Sequence, residues 1–77
     1  MVEQPMPQRT TAAAGVCLAT MNEIVSEAAS LAKAAASCAE DGNTAAGLQI
    51  SLDVEPLLAE ANVLLQAASV LRRRADL

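Results

Sequence analysis

The sequence predicts an all-α fold: an antiparallel helical hairpin that closes its core as a homodimeric four-helix bundle. Three observations predict it. Of 77 residues, 53% are hydrophobic and none is Phe, Trp or Tyr. Ala makes up about a quarter of the chain, so strong helix formers far outweigh strand formers. Apolar residues then recur at alternating steps of three and four along two long segments. One polar stretch, Glu40-Asp41-Gly42-Asn43-Thr44, divides them.

Each element follows in order. Residues 1–9 hold Pro5 and Pro7 two apart and read as a flexible N-terminal arm, with Met1, Val2 and Met6 its apolar members. Thr10 or Thr11 can cap a helix over about 11–41. Within it Ala14, Cys17, Met21, Ile24, Ala28, Leu31, Ala35 and Cys38 form a heptad seam, with Ala14, Met21, Ala28 and Ala35 at a and the others at d. Leu18, Val25, Ala32 and Ala39 at e widen the stripe beyond a narrow two-stranded seam. The turn falls at 42–43, where Gly42 can adopt the left-handed conformation and Asn43 or Thr44 can cap the next helix. Glu40 and Asp41 oppose the helix dipole there by tenths of a kcal/mol.

The second half, about 44–75, repeats the spacing through Ile50, Val54, Leu57, Ala61, Leu64, Ala68, Leu71 and Ala75, with Leu58 and Leu65 flanking. Pro56 interrupts it. Inside a helix it would clash with the carbonyl of Leu52 and cost about 3 kcal/mol. Either Asp53 caps a new helix with Pro56 in its first turn, or one helix runs from about Thr44 and kinks; both readings leave the seam in phase.

The short connection makes the two arms antiparallel neighbours. At this size a ring-free core is thin, and a second copy is the simplest remedy. Small residues alternate with large ones in both seams, which brings helix axes close. Cys17 and Cys38 lie 21 positions apart, roughly 31 Å along one helix, too far to bridge within a chain. If two first helices packed antiparallel about a midpoint between Glu27 and Ala28, Cys17 would face Cys38 of the other chain. The plainer expectation is that both are small buried hydrophobes.

The layering of small and large seam residues resembles, in pattern, the small dimeric helical hairpins that regulate plasmid copy number. The resemblance implies a four-helix dimer. Those proteins contact RNA through polar and basic residues on an exposed face. Here the corresponding positions carry Glu23, Ser30, Ser37 and Glu40, with Lys33 the lone base, so RNA binding does not carry over.

Composition excludes most chemistry. There is no His, so the commonest general base and zinc ligand is missing, and no catalytic site, metal site or cofactor is expected. The net charge of -4 and the lack of aromatic rings argue against nucleic acid. Residues 1–15 lack a basic region followed by an apolar core, and no run of about 18 apolar residues occurs, so a cytoplasmic chain without membrane insertion is expected. Arg over Lys and abundant Ala suggest a bacterial or phage source.

The expected function is a small acidic interaction module: a regulator, adaptor or inhibitor of a larger protein, acting through exposed helix faces. The seam or dimer residues expected to matter are Cys17, Met21, Ile24, Leu31, Cys38, Leu57, Leu64 and Leu71. The expected partner contacts are Glu23, Glu27 and Arg72, Arg73 and Arg74. Glu23 and Glu27 share one face but have no pocket or base nearby, and the arginines complement a helix C-terminus. The alternative is a nucleic-acid-binding hairpin dimer using Arg9 and Arg72 to Arg74. Ala29, Ala34, Ala36 and Val63 would add a smooth surface suited to close helix packing.

Overall fold

The computed structural model describes residues 6–75, with side-chain surroundings for residues 8–74. Three helices follow one another: α1, Met6–Glu40; α2, Thr44–Ser51; and α3, Val54–Ala75. α1 runs the length of the molecule, while α2 and α3 return along it in succession and barely touch each other. The chain is thus a helical hairpin whose second arm is broken.

α1 starts at Met6 rather than at a cap near Thr10, so it takes in Pro7, Gln8 and Arg9, which the sequence assigned to the arm. Pro7 stands in the first turn, where its missing N–H would have no intrahelical partner anyway. Residues 1–5, the remainder of the expected arm, lie outside the described residues.

The reversal after α1 is built by backbone hydrogen bonds. Asn43 N–H donates to the Cys38 carbonyl at 2.8 Å, and Gly42 N–H donates to the Ala39 carbonyl at 3.0 Å. This is a Schellman pair, and it needs the left-handed residue that Gly42 supplies with φ 87°. Asn43 then serves twice. Its side-chain oxygen accepts from Ala46 N–H at 3.1 Å, capping α2 one residue after the turn closes.

The second arm breaks at Leu52–Asp53, where Asp53 N–H donates to the Ile50 carbonyl at 3.0 Å in a tightened last turn. α3 resumes at Val54, which puts Pro56 in its first turn. Of the two readings open for Pro56, the break before it is the one adopted. The proline ring never meets a helical carbonyl four residues back, because residue 52 has already left the helix.

Packing between the arms is set by small residues. Gly47 of α2 sits so close to α1 that a Cβ on it would lie 2.6 Å from the Ala35 backbone oxygen. At the other end, Ala14 and Ala68 floor one groove between α1 and α3. Among the described residues the buried apolar side chains are Ala14, Ala28, Ala61 and Ala68 alone, and none larger is fully buried. Cys17, Met21, Ile24, Leu31, Cys38, Ile50, Val54, Leu57, Leu64 and Leu71 are half-buried beside them. A buried methyl contributes roughly 0.8 kcal/mol, against about 1.5–3 kcal/mol for a fully buried Leu. The hairpin therefore gains less from its core than its hydrophobic content would allow. Its overall extents, 58 × 22 × 16 Å, are those of a single helical layer.

Three substitutions test this account. Gly47→Ala is expected to lower the unfolding free energy by about 1–3 kcal/mol, because backbone must move. Gly42→Ala, with nothing within 4 Å of its Cβ, should cost about 1–2 kcal/mol through the left-handed backbone alone. Pro56→Ala should change stability by less than about 1 kcal/mol, as expected of a first-turn proline. Urea titration followed by circular dichroism measures all three.

Candidate interaction face

The register between the arms decides what the outside of the hairpin presents. Gly47 lies opposite Ala35, and Ala14 lies opposite Ala68. All four are a positions, so the two ends of the hairpin share one register across the break. Carried along the arms, it sets Met21 level with Ala61 and Ala28 level with Val54. The seam read from the sequence therefore faces inward within one chain. Cys17 and Cys38 are free thiols on that inner face. α1 spends its seam on α2 and α3, so the arrangement in which Cys17 meets Cys38 of a second copy is not the one the hairpin presents.

Outside the seam the two sides differ sharply. One side carries the e and b positions of both arms. A groove of about 280 Å³ lined by Ala14, Leu18, Leu65, Ala68, Ser69 and Arg72 shows that the e rows of α1 and α3 lie side by side. Leu18 is 47% exposed, Val25 42%, Leu58 51% and Leu65 47%. Gly15, Asn22, Ala29, Ala32, Ala36 and Ala39 complete the α1 half of this face, and all are uncharged and exposed. Ser69 donates its hydroxyl to the Leu65 carbonyl at 2.9 Å, which removes the donor from the groove. Among the described residues of this face, charge enters only at Glu55 and Arg72.

The opposite side carries the g and c positions. Glu23, Glu27 and Glu60 gather there at mid-length, with Val16, Val63 and Val70 exposed around them. Ala34 is exposed on this side too. Of the residues expected to contact a partner, Glu23 and Glu27 thus share one acidic and partly apolar face. Arg72, Arg73 and Arg74 stand apart, in the last turn of α3, where they complement its dipole.

The fold also separates charge along its length. Arg9 lies at the same end of the hairpin as Arg72 to Arg74, away from the turn. Every described carboxylate lies at or beyond the level of Glu23 and Glu60, towards the turn. Among the described residues no group of three or more His, Cys, Asp or Glu side chains could hold a metal ion. Also among them, no buried side-chain nitrogen or oxygen lacks a hydrogen-bond partner.

Sequence reasoning singles out the seam and the acids but gives no weight to Gly47, where a Cβ would meet the Ala35 backbone oxygen. Its place at an a position was the available signal. Leu18, Val25, Leu58 and Leu65 were seen as flanks of a stripe, and their shared face needed the register. The stretch Thr44–Arg74 is long and apolar enough to cross a membrane by length and composition alone, and little of it is buried. Its helix breaks at Leu52–Asp53, about a third of the way along that stretch, and Glu60 sits near its middle.

No protein-family model, curated protein or solved structure matches this chain.

Leu31 lies midway along the inner seam and is half-buried. Leu31→Asp should remove most of the helical circular dichroism signal at neutral pH, since a carboxylate would be held between the arms without a partner. A variant with full helicity would contradict the inward seam.

Proposed function

We propose that this chain is a small, non-enzymatic protein-interaction module that works as a homodimeric four-helix bundle. The observation that carries the proposal is the two-sidedness of the hairpin. One long face is apolar and nearly charge-free, and the opposite face clusters Glu23, Glu27 and Glu60 among exposed valines. A single layer of helices leaves its apolar side open to water, and covering it with a second layer completes a core. The acidic face then stays outward. It suits a basic, partly apolar site on a larger protein, where charge complementarity steers the encounter and the valines supply desolvated contact. A regulator, adaptor or inhibitor acting in the cytoplasm fits that surface.

Membrane insertion fits less well. A carboxylate at the centre of a spanning helix, where Glu60 would fall, costs about 2.5–3.5 kcal/mol, and the break at Leu52–Asp53 would add unpaired backbone groups within the same span. No chemistry is assigned, because the acids have neither a base nor an enclosing pocket beside them.

A second reading rests on the gathering of Arg9 with Arg72 to Arg74 at one end, which gives a nucleic-acid-binding dimer a basic tip. Successive arginines splay by about 100° around the helix, so they do not form one patch. The acidic remainder would repel phosphate.

The test joins mass measurement of the free protein to affinity capture from its native cell. A dimer is expected by sedimentation. Glu23→Gln combined with Glu27→Gln and Glu60→Gln should weaken retention of the captured partner at least tenfold while leaving helicity and the dimer unchanged. Replacing Arg72, Arg73 and Arg74 with Gln should leave capture intact. Loss of capture with the arginine variant, or tight and steeply salt-dependent binding to RNA or DNA, would favour the second reading instead.

A further inference from the structure

The uncharged face is not flat. Towards the chain termini its e rows carry Leu18 and Val25 from α1, and Leu65 and Leu58 level with them from α3. Towards the turn the same rows carry Ala32 and Ala39 from α1, and Ser51 and Thr44 level with them from the second arm. Along the e rows the face is therefore a step, with four large exposed side chains in one half and four small ones in the other; in the b row of the second half Leu48 stands 64% exposed.

We infer that a second copy docks on this stepped face, turned end for end about a two-fold axis that crosses the hairpin near the level of Ala28 and Ala29. The inference rests on the homodimer proposed above and assigns its face, direction and register. In this arrangement Leu18 lies over the partner subunit's Ala39, and Val25 lies over the partner subunit's Ala32. On the other arm Leu58 lies over the partner subunit's Ser51, and Leu65 lies over the partner subunit's Thr44. Each of the four large e-row side chains meets a small one, as close-packed layers require, and Leu48 of the b row lies near the partner subunit's Asn62. The alternative two-fold, parallel to the helices, sets Leu18 over the partner subunit's Leu65 and Val25 over the partner subunit's Leu58. It leaves Ala32 facing Ser51 and Ala39 facing Thr44 across a gap. Shape selects the first.

Charge does not oppose it. The end-for-end turn carries the arginines of one copy past the turn of the other and away from the other's arginines. The parallel arrangement stacks arginine ends on each other and acidic turns on each other. The area is sufficient. About three-quarters of a face with extents of 58 by 22 Å overlaps, on the order of 1,000 Å² per copy, against the ~800 Å² per partner of a standard stable interface. The register carries one adverse term. Glu55, at the edge of the face near the axis, comes close to the partner's Glu55.

Disulfide trapping tests the register. In a background with Cys17→Ala and Cys38→Ala, chains bearing Leu18→Cys are mixed with chains bearing Ala39→Cys under mild oxidation. A covalent heterodimer is expected within the mixture, with neither chain cross-linking to itself. Positions 18 and 39 of one chain are roughly 31 Å apart, so a double variant can bridge only between chains. Sedimentation of the otherwise unaltered protein gives an independent readout. Glu55→Gln should tighten the dimer about two- to fivefold, the size expected for relief of one exposed like-charge pair. Raising salt in the unaltered protein should move the dimer constant by less than the removal of Leu18 does.

A dimer that fails to trap 18 with 39 and is weakened or unmoved by Glu55→Gln overturns the register while leaving the dimer proposal standing. A monomer at every concentration, or a monomer taken up by phosphatidylcholine vesicles, overturns both.

Discussion

Everything distinctive in this molecule follows from how closely α1 and the returning arm approach. Gly47 brings its backbone against the Ala35 carbonyl, and Ala14, Ala28, Ala61 and Ala68 are the side chains buried between the arms. Helices packed on Ala and Gly lie near the short end of the usual interaxial range. At that spacing nothing larger than Ala fits on the line between the axes. Leu, Ile and Met at the d and remaining a positions are pushed to the edges of the contact and stay half-buried. The e-row leucines and Val25 are pushed further, onto one open side. A tight backbone contact and a wide unburied apolar face are two results of one packing choice.

The same choice explains how the second arm accommodates its interruptions. Asn43 closes the turn and opens α2 within one residue, so the arm returns without a loop that could tilt it away. α2 is short, yet it delivers Gly47 to Ala35. The arm then releases its helix at Leu52–Asp53 and restarts in the same phase, which leaves Pro56 in a first turn where it breaks no hydrogen bond. The seam continues across the break because both pieces lie along one straight α1, which acts as the ruler for each. Charge is sorted by the same antiparallel path: the arginines at the two ends of the sequence come to one end of the hairpin, and the described acids of both arms fall at mid-length and towards the turn.

Much of this was legible from residue spacing. The three-four alternation marks residues that are buried or half-buried in both arms, including Ile50 and Val54 on either side of the break. Gly42 and Asn43 announced the turn. Three things were not legible. The start of α1 at Met6 turns on Pro7 being tolerated in a first turn, and prolines at a boundary read equally well as an arm. The choice between a kink and a break depended on whether the chain could yield at Leu52–Asp53, which spacing does not report. Gly47 looked like one more small residue in an Ala-rich stretch, because a close approach involves two segments and a sequence window sees one.

Helix content, the spacing of the apolar seam and the lack of His are properties of the sequence alone. They depend on local propensity, on a period that one segment carries by itself, and on composition. The faces were settled only by the tertiary structure. Leu18 and Leu65, or Glu23 and Glu60, are more than thirty positions apart, and nothing in either segment says that they share a side. It takes the register between the arms, set where Gly47 meets Ala35, to gather the uncharged residues onto one side and the acids onto the other. A heptad pattern has two flanks that look alike until a second helix arrives at a definite level and direction.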